Sequence, residues 1–264
     1  MTRTTSAGES QTVQGRVAIV TGAGRGIGRA TALALAGRGA RVFGVSRTES
    51  ELASLAEEAP VEVLAESVAT EEGCERIVAE AHRRLGPVGI LVLNAGIGSG
   101  HERPIWEQDP AVWRETMAVN LDGPFFLTRL ASADMKEEGW GRIVMVSSTS
   151  GEIGAPRMSA YTASKHGLMG LMRAVAQDIA PYGATCNAVL PGWVRTEMAE
   201  RSAKLAAERR GVTVEEIWAE RAAAYPSNRV VAPEEVAQTI AFLAGEEASG
   251  INGEGITVAL GGPW

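Results

Sequence analysis

The feature that most constrains this chain is an alternation. Short runs of β-branched and aliphatic residues recur at 17–20, 41–45, 61–64, 90–93, 142–146, 184–189 and 255–258. Longer stretches with helical periodicity separate most of them, at 26–37, 49–58, 70–85, 110–136, 160–180 and 233–244. A strand written as one continuous apolar run has both faces buried, which is the condition of parallel strands joined through helices. Seven such runs predict an α/β fold: a doubly wound, parallel, seven-stranded sheet with helices on both faces, in three layers. Pro110 after Asp109, and Pro233 before Glu234-Glu235, supply helix start signals. No linker, repeat or low-complexity segment interrupts the pattern, so residues 15–264 read as one domain although the length would allow two. Residues 1–14, rich in Thr, Ser, Gly and Gln, read as a disordered leader without the apolar run of a signal peptide.

Directly after the first run stands Thr21-Gly22-Ala23-Gly24-Arg25-Gly26-Ile27-Gly28, and an alanine-rich helix follows. A glycine triplet alone makes ordinary turns. Set between a strand and a helix, it describes a Rossmann-type crossover, in which backbone approaches a pyrophosphate and the helix N-terminus offers it free N–H groups. At the end of the second strand an Asp or Glu would accept from the adenosine ribose and repel a 2′-phosphate. The chain carries Ser46-Arg47-Thr48 there instead. Arg47, with Arg25 from the glycine turn, favours NADP(H) over NAD(H), unless Arg47 is only a solvated loop residue.

Tyr161 and Lys165 open another helix at i, i+4 spacing, which puts phenol and ammonium on one face. A fixed cation can stabilise a phenolate that otherwise forms near pH 10. The pair could equally be an exposed helix face, but Ser147-Ser148 end the preceding strand at the carboxyl edge, where open α/β sheets place ligands.

With these motifs the chain resembles the short-chain dehydrogenases/reductases, from about residue 16 to 262. The ordered motifs are Thr21-Gly22 through Gly28, Asn94-Ala95-Gly96, Asn120 within 119–123, Ser147-Ser148, Tyr161 to Lys165, and Pro191-Gly192-Trp193-Val194-Arg195-Thr196. The resemblance implies a catalytic tetrad of Asn120, Ser148, Tyr161 and Lys165. Ser148 is chosen over Ser147 because it precedes Tyr161 by the family's usual thirteen residues. Tyr161 would exchange a proton with the substrate oxygen, and Ser148 would hydrogen-bond the same oxygen. Lys165 would hold the nicotinamide ribose and lower the tyrosine pKa, while Asn120 would kink its helix around a water. The resemblance also implies cofactor contacts from Gly22, Gly24, Arg25, Gly26, Ile27, Gly28, Ser46, Arg47, Ser67, Val68, Asn94, Ala95, Gly96, Tyr161, Lys165, Pro191, Gly192, Val194 and Thr196. Two departures fall on the adenine side: Leu93 and Ser67 stand where the family commonly has Asn and Asp.

Three segments should wall the substrate pocket: 97–104, 152–159 and 193–226. Ile153, Met158, Trp193 and Trp218, with Ser148, would suit an apolar or aromatic ketone, and Arg157 or Arg195 could meet an acidic one. Residues 196–228 read as a helical pair packed on the body and as a lid over the substrate. His82, His101 and His166 lack metal-ligand spacing, so no metal site is predicted, although His101 could reach the pocket.

A net charge of −7 argues against nucleic acid and anionic membranes, so the attraction for an anionic cofactor must be local. Cys74 and Cys186 form no framework, and the chain reads as cytoplasmic. The leading expectation is an NADP(H)-dependent reductase of a ketone or 3-oxoacyl group. The alternatives are an NAD-dependent secondary-alcohol or 3-hydroxyacid dehydrogenase and a nucleotide-sensing regulatory protein. The resemblance further implies a homotetramer built through the helices at 110–136 and 160–180 and near the C-terminus; Leu168, Leu171, Met172, Val175 and Ile179 suit either core or interface.

Overall fold

The computed structural model describes residues 13–98 and 102–262. The seven aliphatic runs form β1 (Val17–Thr21), β2 (Arg41–Ser46), β3 (Val61–Ala65), β4 (Val88–Leu93), β5 (Gly141–Val146), β6 (Ala184–Pro191) and β7 (Gly255–Val258). All pair in parallel, in the order β3-β2-β1-β4-β5-β6-β7. The chain winds outward from β1 to β3, then returns to the other side of β1 with β4. The carboxyl ends of β1 and β4 therefore flank the point where the winding reverses, which is where such sheets form a crevice.

Alternate strand residues serve opposite faces. Ile19 and Leu91 join the layer of α3 (Glu71–Leu85), α5 (Gly123–Glu138) and α6 (Ser159–Ile179). Ala18, Val20, Ile90 and Val92 join that of α1 (Gly26–Gly37), α2 (Glu49–Glu58) and α9 (Pro233–Leu243). Each large aliphatic side chain so buried contributes about 1.5–3 kcal/mol, which is why continuous apolar runs became strands. Leu168, Met172, Val175 and Ile179 lie in the first layer, so this face of α6 is core. Arg142 is the charged exception on β5. It is 2% exposed and satisfied by the carbonyls of Gly141, Gly183 and Gly245 and by Glu246.

Two boundaries differ from the sequence reading, at 110–136 and at residue 13, while the helical pair expected at 196–228 is present. The stretch expected as one helix at 110–136 is α4 (Pro110–Met117), a wide π turn (Ala118–Asp122) and α5. Residues 196–228 contain α7 (Glu197–Arg210) and α8 (Val214–Ala223), started by Thr196 and by a Thr213–Glu216 capping box. Val13, assigned to the leader, is fully buried in the α1/α2/α9 layer, and the Gly15 amide donates to the Gly39 carbonyl; an apolar side chain with a place in the core extends the domain back to residue 13. Residues 1–12 and His101 lie outside the described residues.

Candidate active site

The glycine turn leads from β1 into α1 beneath the crevice. Gly22 adopts φ +66°, a left-handed conformation that glycine takes without a Cβ penalty. A Cβ on Gly28 would lie 2.1 Å from the Gly22 carbonyl oxygen, so helix and turn touch as backbone. Thr21 and Asn94 hold the turn to β4. The Thr21 hydroxyl accepts from the amides of Asn94 and Ala95 and donates to the Val92 carbonyl, while Asn94 Nδ2 donates to the carbonyls of Thr21 and Gly22. The N-terminus of α1 has no side-chain cap and no acid in its first turn, whereas α2, α3, α7, α8 and α9 all carry acids there. Its free amides and positive dipole end thus stay available to an external anion, and this cradle fits a dinucleotide pyrophosphate.

Around the adenosine side, Arg47 is exposed and Ser46 is half-buried. Arg25 differs from the expectation of a cation awaiting phosphate: its Nη1 bonds Glu51 Oε1 at 3.1 Å and Glu197 Oε2 at 2.6 Å. Ser67 turns its hydroxyl to the Ala69 amide, and Val68 packs against Gly123. Gly26 meets Thr196, which caps α7, and Val194 bridges to Val231. Gly192 faces the Tyr225 ring, and Pro191 ends β6 beside Val258.

Asn120, Ser148, Tyr161 and Lys165 converge at the carboxyl edge of β4 and β5. Asn120, in the π turn, accepts from the Ile97 amide (2.8 Å) and donates to the Ile97 carbonyl (2.9 Å) and to Ser164 Oγ (3.0 Å). The widened turn lets this side chain reach across to the 94–98 loop; π turns often mark functional sites. A Cβ on Gly96 would sit 3.5 Å from Asn120 Oδ1 and 3.7 Å from Lys165 Nζ, so Gly96 leaves the space between them open. Lys165 donates to the Val146 carbonyl at 2.8 Å, and its Nζ lies 5.6 Å from the Tyr161 ring centroid.

The two serines separate cleanly. Ser147 is buried and donates to the Lys165 carbonyl, whereas Ser148 caps the 3-10 turn after β5 and lies near enough to the Tyr161 phenol to favour its ionised form. Burial pushes the phenol above its ordinary range, Ser148 opposes this, and burial lowers the Lys165 ammonium to about 8. Desolvation thus outweighs the opposing pull of Ser148. A phenol titrating near pH 10 even when free is a protonated donor at neutral pH.

Beside Tyr161 opens a cavity lined by Gly98, Glu102, Thr116, Arg157 and Met158. Of the two basic candidates, Arg157 borders it; Arg195 instead stacks on Trp218, 4.8 Å from the ring centroid. Ile153 and Trp193 are 39% and 37% exposed. Trp218 is a correction: it is 6% exposed, packed with Ala199, Ala203 and Ala207 between α7 and α8, and its indole N–H donates to Glu200. An indole on a helix facing a row of alanines fills that seam rather than a pocket. Arg221 lies between Trp193 (3.7 Å) and Trp218 (4.9 Å) and donates to Ala199 O and Ser202 Oγ, which joins the helical pair to the end of β6. Met198, inside the 193–226 segment expected to wall the pocket, brings its sulfur beside Gly98 next to the Tyr161 ring. Among the described residues no cluster of His, Cys, Asp and Glu could hold a metal, and no helix is long and apolar enough to cross a membrane.

Comparison with known proteins agrees with this geometry. A family model described as enoyl-(acyl carrier protein) reductase matches residues 22–262. The D-β-hydroxybutyrate dehydrogenase of Cupriavidus necator is 34% identical, covering 91% of this chain and 95% of its own. A monensin polyketide synthase ketoacyl reductase of Streptomyces virginiae is 37% identical, covering 93% and 96%. The crystal structure of a variant actinorhodin polyketide ketoreductase with NADPH superposes with a TM-score of 0.88 at 35% identity, covering 93% and 96%.

Proposed function

The chain belongs to the short-chain dehydrogenases/reductases, oxidoreductases that use a nicotinamide cofactor to interconvert C=O and CH–OH, and from that premise we propose that it is an NADP(H)-dependent ketoreductase. The observation that carries this reading is Tyr161 on the wall of the open cavity with Lys165 Nζ 5.6 Å from its ring and Asn120 held behind them. The cofactor, when bound, supplies hydride to the carbonyl carbon. Tyr161 donates its proton to the carbonyl oxygen. Ser148 donates a second hydrogen bond to that oxygen, and both bonds strengthen as negative charge grows there, so they favour the transition state over the ground state. Lys165 holds positive charge beside the phenol and binds the ribose hydroxyls; Asn120 positions the 94–98 loop against it. Met158 and Met198 give the pocket apolar walls suited to a ketone or 3-oxoacyl chain, and α7 with α8 forms the lid.

The relatives' names support the carbonyl chemistry: two are ketoreductases by name, one of them solved with NADPH. Exposed Arg47 supports NADP(H), while the two carboxylates on Arg25 favour the NAD(H) alternative. Buried Cys74 and Cys186, both with thiol pKa values raised by burial, suit a cytoplasmic protein. Trp113 on α4 and Phe125 on α5, 41% and 47% exposed, offer a face for assembly into a homotetramer.

A panel of ketones and 3-oxoacyl thioesters followed by nicotinamide absorbance, with NADPH and NADH in parallel, tests the reading. Tyr161→Phe should reduce turnover by about 10²- to 10⁴-fold while leaving the cofactor Kd unchanged. Substantial turnover in that variant overturns the role of Tyr161, and a preference for NADH overturns the cofactor assignment.

A further inference from the structure

Glu51 brings to the glycine turn a carboxylate that the 46–48 segment lacks. It belongs to α2, beyond the 46–48 segment in which a ribose-binding carboxylate would be sought, yet it folds back onto the glycine turn. A Cβ placed on Gly24 would meet Glu51 Oε2 at 2.6 Å, Glu51 Cβ at 2.9 Å and Ser46 Oγ at 3.0 Å. Carboxylate and serine hydroxyl therefore meet around one point, at the junction of the glycine turn and the end of β2. The helix holds Glu51 there. Arg29 of α1 donates to the Glu51 and Ser54 carbonyls and pairs with Glu58, and Leu52 and Leu55 are buried on the other side. An acid in a first helical turn is commonly there only for the helix dipole. Glu51 does more, because its side chain is 26% exposed and takes one of the two bonds on Arg25 Nη1.

We propose that Glu51 is a specificity-determining residue for the dinucleotide. Its carboxylate accepts from the adenosine ribose hydroxyls, opposes a 2′-phosphate, and ties up part of the Arg25 charge that would otherwise attract one. Arg47, exposed and without a partner in the described residues, acts in the opposite sense, so the balance of Glu51 against Arg47 sets the preference. This rests on the cofactor reading above, but it concerns the direction of one residue's effect and not which nucleotide wins in the wild type.

The test is the Kd of NADPH and of NADH for the full chain, measured by calorimetric titration without substrate, for wild type, Glu51→Gln and Glu197→Gln. Glu51→Gln should tighten NADPH relative to NADH on the order of tenfold, the size expected from removing one charge near a phosphate at a partly exposed site. Glu197 also pairs with Arg25 but is 63% exposed, so Glu197→Gln should move the ratio less than about twofold. Glu51→Ser serves as the second variant should glutamine disturb the turn. A ratio unchanged within twofold in the Glu51 variants overturns the proposal, as does an equal shift from Glu197→Gln, which would assign the effect to release of Arg25 alone. A wild type that prefers NADH, with a ratio that still moves in Glu51→Gln, refutes the NADP(H) reading and leaves this one standing.

Discussion

Alanine introduced at two glycines of the same helix should change stability in opposite directions. Gly28 and Gly37 both belong to α1, and an alanine in a helix gains about 0.8–1.0 kcal/mol over glycine wherever space allows. At Gly37 nothing lies within 4 Å of the added methyl, so most of that gain should survive: about 0.5–1 kcal/mol, or roughly 1–3 °C in Tm. At Gly28 the methyl would lie 2.1 Å from Gly22 O, 2.7 Å from Gly22 C and 2.5 Å from Asn94 Nδ2. Ordinary carbon contacts need about 3.5 Å, so the turn must retreat by more than 1 Å. It cannot retreat alone, because Asn94 bonds both the Thr21 and the Gly22 carbonyls. Overpacking costs about 1–3 kcal/mol and each weakened bond about 1 kcal/mol, against the helical gain. The net loss is about 2–3 kcal/mol, or roughly 5–10 °C. Differential scanning calorimetry reads the first quantity, and calorimetric titration with NADPH reads the second consequence, a loss of affinity in Gly28→Ala but not in Gly37→Ala. Equal stabilisation by both substitutions, or full cofactor affinity in Gly28→Ala, would refute the account of the turn as backbone in contact with backbone.

Two further substitutions probe the buried cations. Lys165→Met should abolish turnover yet stabilise the fold at neutral pH, because burial depresses the folded-state pKa from 10.5 to about 8. Below pH 8 both states are protonated and the folded state carries the whole penalty, at most about 3 kcal/mol; between pH 8 and 10.5 the folded lysine is neutral while the unfolded one is charged, so wild-type stability rises. The variant's advantage should therefore fade across that window in urea titrations, and an advantage that grows with pH would contradict the burial argument. Arg221→Met should destabilise by about 2–3 kcal/mol, since it removes the bonds to Ala199 and Ser202 and the stacking on two indoles. Chemical denaturation followed by tryptophan fluorescence measures it, and a change under about 0.5 kcal/mol would show that the clamp contributes nothing.

What could be read from the sequence was whatever is local and periodic. Seven buried strands announce themselves because a parallel strand is apolar on both faces, and Tyr161 with Lys165 share a face by helical spacing alone. Ser148 is separable from Ser147 only through the resemblance, by its thirteen-residue spacing to Tyr161. The reading failed where a side chain's partner is distant in the chain. Glu197, which pairs with Arg25, lies 172 residues beyond it, and Glu51 meets Gly24 on a helix that Arg29 and the buried Leu52 and Leu55 hold in place. Residue type alone assigns Trp218 to the pocket, but its neighbours are the alanines of α7, whose small side chains leave an indole-sized space that no pattern of hydrophobicity distinguishes from a ligand's. The errors share a cause. Periodicity fixes which face a residue occupies, and the occupant of the space before that face is set by helix packing. In this fold the glycine turn belongs to the first kind of information and the charge around it to the second, so the presence of a dinucleotide site was readable while the forces that choose between its two forms were not.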